Sequence, residues 1–365
     1  MSALTCGFIG LGLIGGSIAK AIRLNLPDTR IIAYDISSDT LSLAKEEGIA
    51  NVILEKIDAT FSECDYLFLC APVSKNDENL KTLAGFINPD CTITDVGSVK
   101  TDIHSHIESL GLSSQFIGGH PMAGSERIGF VNSKALLLEN AYYILTPTEN
   151  VPEEKISSYK KLVQTIGAIP LVLSFKEHDY VTAAISHLPH VIAASLVNLV
   201  HDSDSEEGTM KLIAAGGFKD ITRIASSSPV MWQQICLTNT ENIISLLDDY
   251  IKALNIIREQ LADKDADALF NFFKEARNYR ESFIDTSSGP IKKSYSITVD
   301  ILDETGALAA IATILALNNI NIKNIGITHN REFAEGTLRI EFYEEAAIEQ
   351  SASILSGKGY IVHMQ

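Results

Sequence analysis

Positive charge is scarce in this chain. Among 365 residues, 29 Lys and Arg stand against 46 Asp and Glu, a formal net charge of −17. A nucleic-acid or anionic-membrane partner would need a basic face, so neither is expected. The same shortage means that an anionic substrate must find a local cationic pocket. Cysteine is scarce as well. The five residues, Cys6, Cys64, Cys70, Cys91 and Cys236, are odd in number and scattered, with no Cys-x-x-Cys pair. That spacing offers neither a disulfide framework nor a zinc site and fits a reducing, cytoplasmic setting. The first basic residue is Lys20, so no signal-peptide n-region is expected. No apolar run reads as approaching the ~18 residues of a membrane span. Tryptophan occurs once, at Trp232.

Against these absences stands one glycine-rich stretch near the start. Leu4 to Ile9 is apolar and of strand length, and Gly10-Leu11-Gly12-Leu13-Ile14-Gly15 follows at once, leading into a helical segment from Ser17. Strand, G-x-G-x-x-G and helix in that order form the dinucleotide-binding fingerprint. Gly10 makes the tight turn, Gly12 lets the backbone approach a pyrophosphate, and Gly15 lets the helix pack on the strand. The helix N-terminus then offers free N–H groups to phosphate. A second strand, Arg30 to Tyr34, ends in Asp35, about 20 residues beyond the fingerprint. A carboxylate there suits a ribose 2′-hydroxyl and repels a 2′-phosphate, and Ile36-Ser37-Ser38 supplies no arginine. The cofactor read from these residues is NAD.

Strand and helix patterns alternate to about residue 172. Candidate strands are Cys6–Ile9, Ile31–Tyr34, Tyr66–Cys70, Thr92–Asp95, Phe116–Gly118, Ala141–Thr146 and Ile169–Leu173. The pattern predicts a mainly parallel sheet with helices on both faces, binding ligands beyond its carboxyl ends. Ala71-Pro72-Val73, Gly97-Ser98-Val99-Lys100 and Gly118-Gly119-His120-Pro121-Met122-Ala123-Gly124-Ser125-Glu126 fall there. His120 is suited to proton transfer because imidazole titrates near neutrality, and Glu126 is close enough in sequence to orient a ring or a ligand.

From Phe175 the texture becomes nearly all helical. Ser186-His187-Leu188-Pro189-His190 interrupts a long apolar segment, and Pro189 predicts a kink. His187 and His190 share a helix face. Asp220 and Arg223, also three apart, follow Gly216-Gly217. Cys236–Ala262 and Ala266–Phe283 carry apolar stripes suited to packing or dimerisation. After the turn-rich linker Asp285–Pro290, strands at Tyr295–Ile301, Ile320–Thr328, Thr337–Tyr343 and Tyr360–His363 and helices at Ala307–Leu317 and Ala346–Ser356 spell βαββαβ, a ferredoxin-like order.

In sequence order, Gly10–Ser17, Gly97-Ser98-Val99, Gly118–Glu126, Ser186–His190 and Gly216–Arg223 resemble the motifs of prephenate dehydrogenases. Asp303-x-x-Gly306 and Asn321-Ile322 resemble the C-terminal ACT domain that some of them carry, with Thr305 where proline is often found. The resemblance spans nearly the whole chain. It implies a Rossmann-like NAD-binding domain over residues 1–173, an all-helical substrate and dimerisation domain over 174–288, and an ACT module over 294–365. It implies NAD-dependent oxidative decarboxylation of prephenate to 4-hydroxyphenylpyruvate in tyrosine biosynthesis, by a homodimer whose effector is L-tyrosine. His120 and Ser98 would then be catalytic. Glu126, His190, Gly217, Asp220, Arg223 and Trp232 would form the substrate pocket. Gly10 to Gly15, Asp35, Ala71, Pro72 and Val73 would hold the cofactor, and Asp303, Gly306, Asn321 and Ile322 the effector. No metal is required, since the hydride acceptor draws off the electrons. Arogenate dehydrogenase, a hydroxyacid dehydrogenase of similar plan and a non-catalytic NAD-bound amino-acid sensor are the competing readings.

Overall fold

The computed structural model describes residues 4–124, 127–285, 295–301, 306–328 and 336–364. The chain divides into two compact units, 1–274 and 275–365.

The first unit opens with β1 (Thr5–Ile9), α1 (Leu13–Asn25), β2 (Arg30–Tyr34), α2 (Ser38–Glu46) and β3 (Val52–Leu54). It continues with β4 (Tyr66–Leu69), α3 (Val73–Leu83), β5 (Thr92–Asp95), α4 (Thr101–Ser109) and β6 (Ile117–Pro121). The α/β part closes with β7 (Tyr142–Pro147), α5 (Glu153–Thr165) and β8 (Ile169–Val172). Strands β1 to β5 form a parallel sheet in the order β3-β2-β1-β4-β5. A parallel bridge between Ile93 and Phe116 joins it to the β6-β7-β8 sheet, in which β6 and β7 are antiparallel. Period-two alternation sends Phe8, Ile31, Ala33 and Phe68 to one core and Ile9, Ile32, Leu67 and Leu69 to the other. Both faces of the sheet are thus covered, as a parallel sheet requires. The short β3 was not legible in the sequence, because three residues carry too little periodicity. Strand β6 reaches Pro121, so His120 lies within a strand rather than beyond one.

The helical part holds α6 (Phe175–Thr182), a π turn (Ala183–His187), α7 (Leu188–Ser203), α8 (Thr209–Ile213) and α9 (Gly216–Thr222). A 3₁₀ turn (Arg223–Ser226), α10 (Pro229–Thr238), α11 (Thr240–Ala262) and α12 (Ala266–Asp285) follow. Around Pro189 the chain stays helical from Phe175 to Ser203, and a wider π turn, the kind of irregularity at which helices kink, lies just before the proline that lacks an N–H. By length and composition that continuous helix is also long and apolar enough to cross a membrane, contrary to the sequence reading. It packs against α9, α11 and the Arg223–Ser226 turn. The predicted Cys236–Ala262 helix is divided at Asn239, whose buried side chain turns inward.

The second unit begins within α12 and contains β9 (Tyr295–Ile301), α13 (Ala307–Leu317), β10 (Ile322–Thr328), β11 (Gly336–Phe342), α14 (Ala346–Ser356) and β12 (Val362–Met364). Its sheet order is β10-β11-β9-β12, all antiparallel. That is the predicted ferredoxin-like βαββαβ arrangement. Its core joins Ile297, Val299, Leu338 and Ile340 of the sheet to Ile311, Leu315 and Leu355 of the helices.

Candidate active site

The glycine turn has the geometry that its sequence demands. Gly10 sits at φ +95°, a left-handed conformation that glycine adopts without strain. A side chain at Gly15 would lie 2.5 Å from the Gly10 carbonyl and 2.8 Å from Cys70 Cβ, so only glycine lets α1 approach β1 and the end of β4 so closely. At Gly12 an added Cβ would meet nothing within 4 Å. Gly12 caps α1, so this open space faces the unpaired amides of the first helical turn. A pyrophosphate fits there. Asp35 does more than was read from the sequence. One carboxylate oxygen accepts the Leu11 N–H at 2.7 Å and the other the Ser37 N–H at 2.9 Å, so the same group braces the turn.

Beyond the ends of β4 and β5 lies a cavity of about 380 Å³. Ala71, Pro72 and Val96 to Val99, with Ser98 among them, line one side. Ser228, Val230, Met231, Gln234, Ile235 and Thr238, at and along α10, line the other. Val73 opens α3 beside it, with its side chain outside the described residues.

Strand β6 carries His120 alongside. A Cβ at Gly119 would lie 2.6 Å from the Asp95 carbonyl, which explains the glycine before the histidine. His120 Nδ1 lies 2.8 Å from His178 Nε2, and His178 Nδ1 lies 2.7 Å from Asp179 Oδ1. A carboxylate only accepts, so His178 donates through Nδ1 and a neutral ring keeps a lone pair on Nε2. His120 must then donate through Nδ1, which leaves its own Nε2 as a bare acceptor. Burial, reinforced by the neighbouring His178, Lys100 and His187, holds His120 well below the ordinary imidazole range. Burial alone would raise Asp179. Hydrogen bonds from His178, from the Thr101 hydroxyl and from the Lys100 and Thr101 amides outweigh it and keep the carboxyl ionised.

A buried ion pair ties these parts together. Lys100 Nζ reaches Asp95 and donates to the Gly119 carbonyl at 2.8 Å. Asp95 in turn accepts the amides of Gly97 and Gly119 at 2.9 and 3.1 Å. The Ser98 turn and the His120 strand are therefore clamped to one carboxylate.

The helical histidines complete a contiguous array. Asn239 donates to the Asp179 carbonyl at 2.8 Å, and its amide nitrogen lies 3.1 Å from His187 Nδ1. His187 meets Trp232 edge-on, and Trp232 stacks on His190 with centroids 3.6 Å apart. His190 donates through Nδ1 to the Ser186 carbonyl in the π turn at 2.8 Å. Burial holds His190 below its usual range; the Ser186 bond opposes this, and the nearby Arg223 charge adds to it. Burial also lowers His187, to about 4. Arg223 starts the 3₁₀ turn, while Gly217 and Asp220 lie exposed on α9, which packs on α7.

The structure thus joins His120, His190 and Trp232 in one array, with Arg223 near His190 and Ser98 clamped to the same carboxylate as the His120 strand. Glu126 and Asp303 lie outside the described residues. Gly306 caps α13 at φ +95°, and Asn321 and Ile322 lead into β10 in the second unit. The sequence reading missed His178, Asp179, Lys100 and Asp95. Its only signal for the first two was an adjacent His-Asp pair, which reads as an ordinary polar helix face until its burial is known.

The family model of the prephenate dehydrogenase nucleotide-binding domain matches residues 18–171, and that of the prephenate dehydrogenase dimerization domain matches 174–275. The chain belongs to the prephenate dehydrogenase family. It is 40% identical over 338 residues to the prephenate dehydrogenase of Bacillus subtilis, covering 92% of this chain and 91% of that one. Among solved structures it is similar to A. aeolicus prephenate dehydrogenase in complex with hydroxyphenyl propionate and NAD+ (TM-score 0.73, 34% identity, 78% of this chain and 99% of that one). It is also similar to Synechocystis arogenate dehydrogenase (TM-score 0.71, 26% identity, 77% and 100%).

Proposed function

We propose that this chain is an NAD-dependent prephenate dehydrogenase in which His120 is the general base. The observation that carries the proposal is the Asp179–His178–His120 hydrogen-bond series, which presents a bare Nε2 on a neutral, buried imidazole. NAD, held by the Gly10–Gly15 turn and Asp35, supplies the hydride acceptor. His120 takes the ring hydroxyl proton as the carbon beneath it loses hydride. The bond to the ring carboxylate breaks, its electrons enter the ring, carbon dioxide leaves, and His120 returns the proton to the phenol oxygen. Ser98 positions the hydroxyl. Arg223 answers the shortage of cationic groups by binding a carboxylate through its planar fork. His190 and Trp232 shape the pocket near it, with Gly217, Asp220 and Glu126 at its margin.

The decisive assay follows NADH absorbance with prephenate or arogenate and with NAD or NADP. Prephenate with NAD is expected to dominate, in line with the more similar relative; turnover of arogenate alone would transfer the reading to that substrate. The five free cysteines fit a cytoplasmic enzyme.

We further infer the three-domain division read from the sequence, with residues 294–365 as an ACT module for L-tyrosine. Its support is the observed βαββαβ sheet order, together with the left-handed Gly306 that lets backbone approach a ligand at the first loop. Asp303, Asn321 and Ile322 complete the proposed effector site. Truncation after residue 288 is expected to keep turnover and abolish tyrosine inhibition, a coupling on the order of 1–3 kcal/mol. An unchanged inhibition constant would move tyrosine to the active site.

A further inference from the structure

We propose that Gln234 of α10 binds the carboxamide of the nicotinamide ring, so that the helical part supplies a recognition group for the cofactor. The inference rests on the NAD reading above. The cavity beyond β4 and β5 is where the reactive end of a dinucleotide emerges from a sheet of this order. Most of its lining is apolar or backbone, through residues such as Ala71, Pro72, Val96 and Ile235. Among its side chains none is charged, and Gln234 carries the only amide.

A carboxamide offers a donor NH2 and an acceptor carbonyl in one plane. An amide side chain meets the two with separate, coplanar atoms, its NH2 and its carbonyl, whereas a hydroxyl would have to donate and accept through one oxygen. The other polar side chains lining the cavity are Ser98, Ser228 and Thr238, and each has a place of its own. Ser228 Oγ caps the helix by accepting the Met231 N–H at 3.4 Å. Thr238 donates its proton to the Gln234 carbonyl at 2.9 Å. Ser98 stands on the opposite wall, where the proposed chemistry uses it. Gln234 is left as the group able to pair with both halves of the carboxamide.

The test is calorimetric binding, without substrate, of NAD, its 3-acetylpyridine analogue and ADP-ribose. The analogue replaces the carboxamide NH2 with a methyl group and leaves the Gln234 carbonyl unpaired. ADP-ribose lacks the ring altogether. Wild-type protein is expected to bind NAD about tenfold more tightly than the analogue. In Gln234→Leu that ratio should fall toward one while ADP-ribose affinity stays unchanged. A ratio that persists in the variant overturns the proposal. So does a parallel loss of ADP-ribose affinity, which would make Gln234 a structural residue. Wild-type protein that binds ADP-ribose but not NAD would instead overturn the cofactor reading on which the proposal stands.

Discussion

From Thr5 to Val172 the apolar side chains are mostly consumed within the chain, in two cores on opposite faces of one sheet. From Phe175 to Asp285 the buried hydrophobic residues are only Ala183, Ala193, Ile235 and Ile243 among the described residues. On α11, Ile244, Ile251, Leu254 and Leu261 recur at helical spacing and are exposed, and Phe270 and Phe273 on α12 are exposed too. The α/β part is a finished fold with a built-in ligand edge. The helical part has apolar faces left over, and a patch of that kind marks an interaction surface. Its buried polar residues tell the same story from inside. His178, Asp179, His187 and Asn239 are turned toward the α/β part and toward one another. The helices therefore serve the site on one side and offer a surface on the other, which is the basis for reading a homodimer here.

The sharpest way to break this contrast is at the base. His120→Asn is expected to lower turnover by ~10² to 10⁴ while leaving NAD affinity intact. Because burial depresses the wild-type His120, a neutral base persists below the ordinary imidazole range. The acid limb of the pH–rate profile should therefore appear only as pH falls through that depressed value. An acid limb in the usual imidazole range, or a His120→Asn variant with near-normal turnover, would remove His120 from this role.

Next in size is the surface. Ile251→Glu together with Leu254→Glu should weaken self-association by about 10²-fold, since a paired interface would bury uncompensated charge. Sedimentation velocity reads this directly. A wild-type protein that sediments as a monomer would deny the helical part its leftover face.

The smallest effect tests whether the helical part acts on the chemistry. An amide at position 179 can donate to His178 Nδ1, which forces the other tautomer and makes His120 donate toward the substrate. Asp179→Asn is expected to lower kcat by roughly tenfold to a hundredfold with little change in the KM for NAD. An unchanged kcat would confine Asp179 to holding the start of α4.

Much of this protein was determined by local sequence. The G-x-G-x-x-G turn, the Asp35 strand end and the βαββαβ order were legible because each depends on backbone freedom or on side-chain period within a few residues. The family was legible through motif resemblance, which is also what singled out His120, His190 and Arg223 as candidates. Tertiary structure decided the rest. Nothing local distinguishes His178 and Asp179 from solvated helix residues; their meaning comes from packing that removes water and leaves each donor one partner. Asp95 and Lys100 are likewise an ordinary acid and base five residues apart until the approach of β6 buries them and gives Asp95 one amide from a turn and one from a strand to hold. The π turn before Pro189 also came from the fold, because whether a missing N–H ends a helix or widens it depends on what packs around that turn.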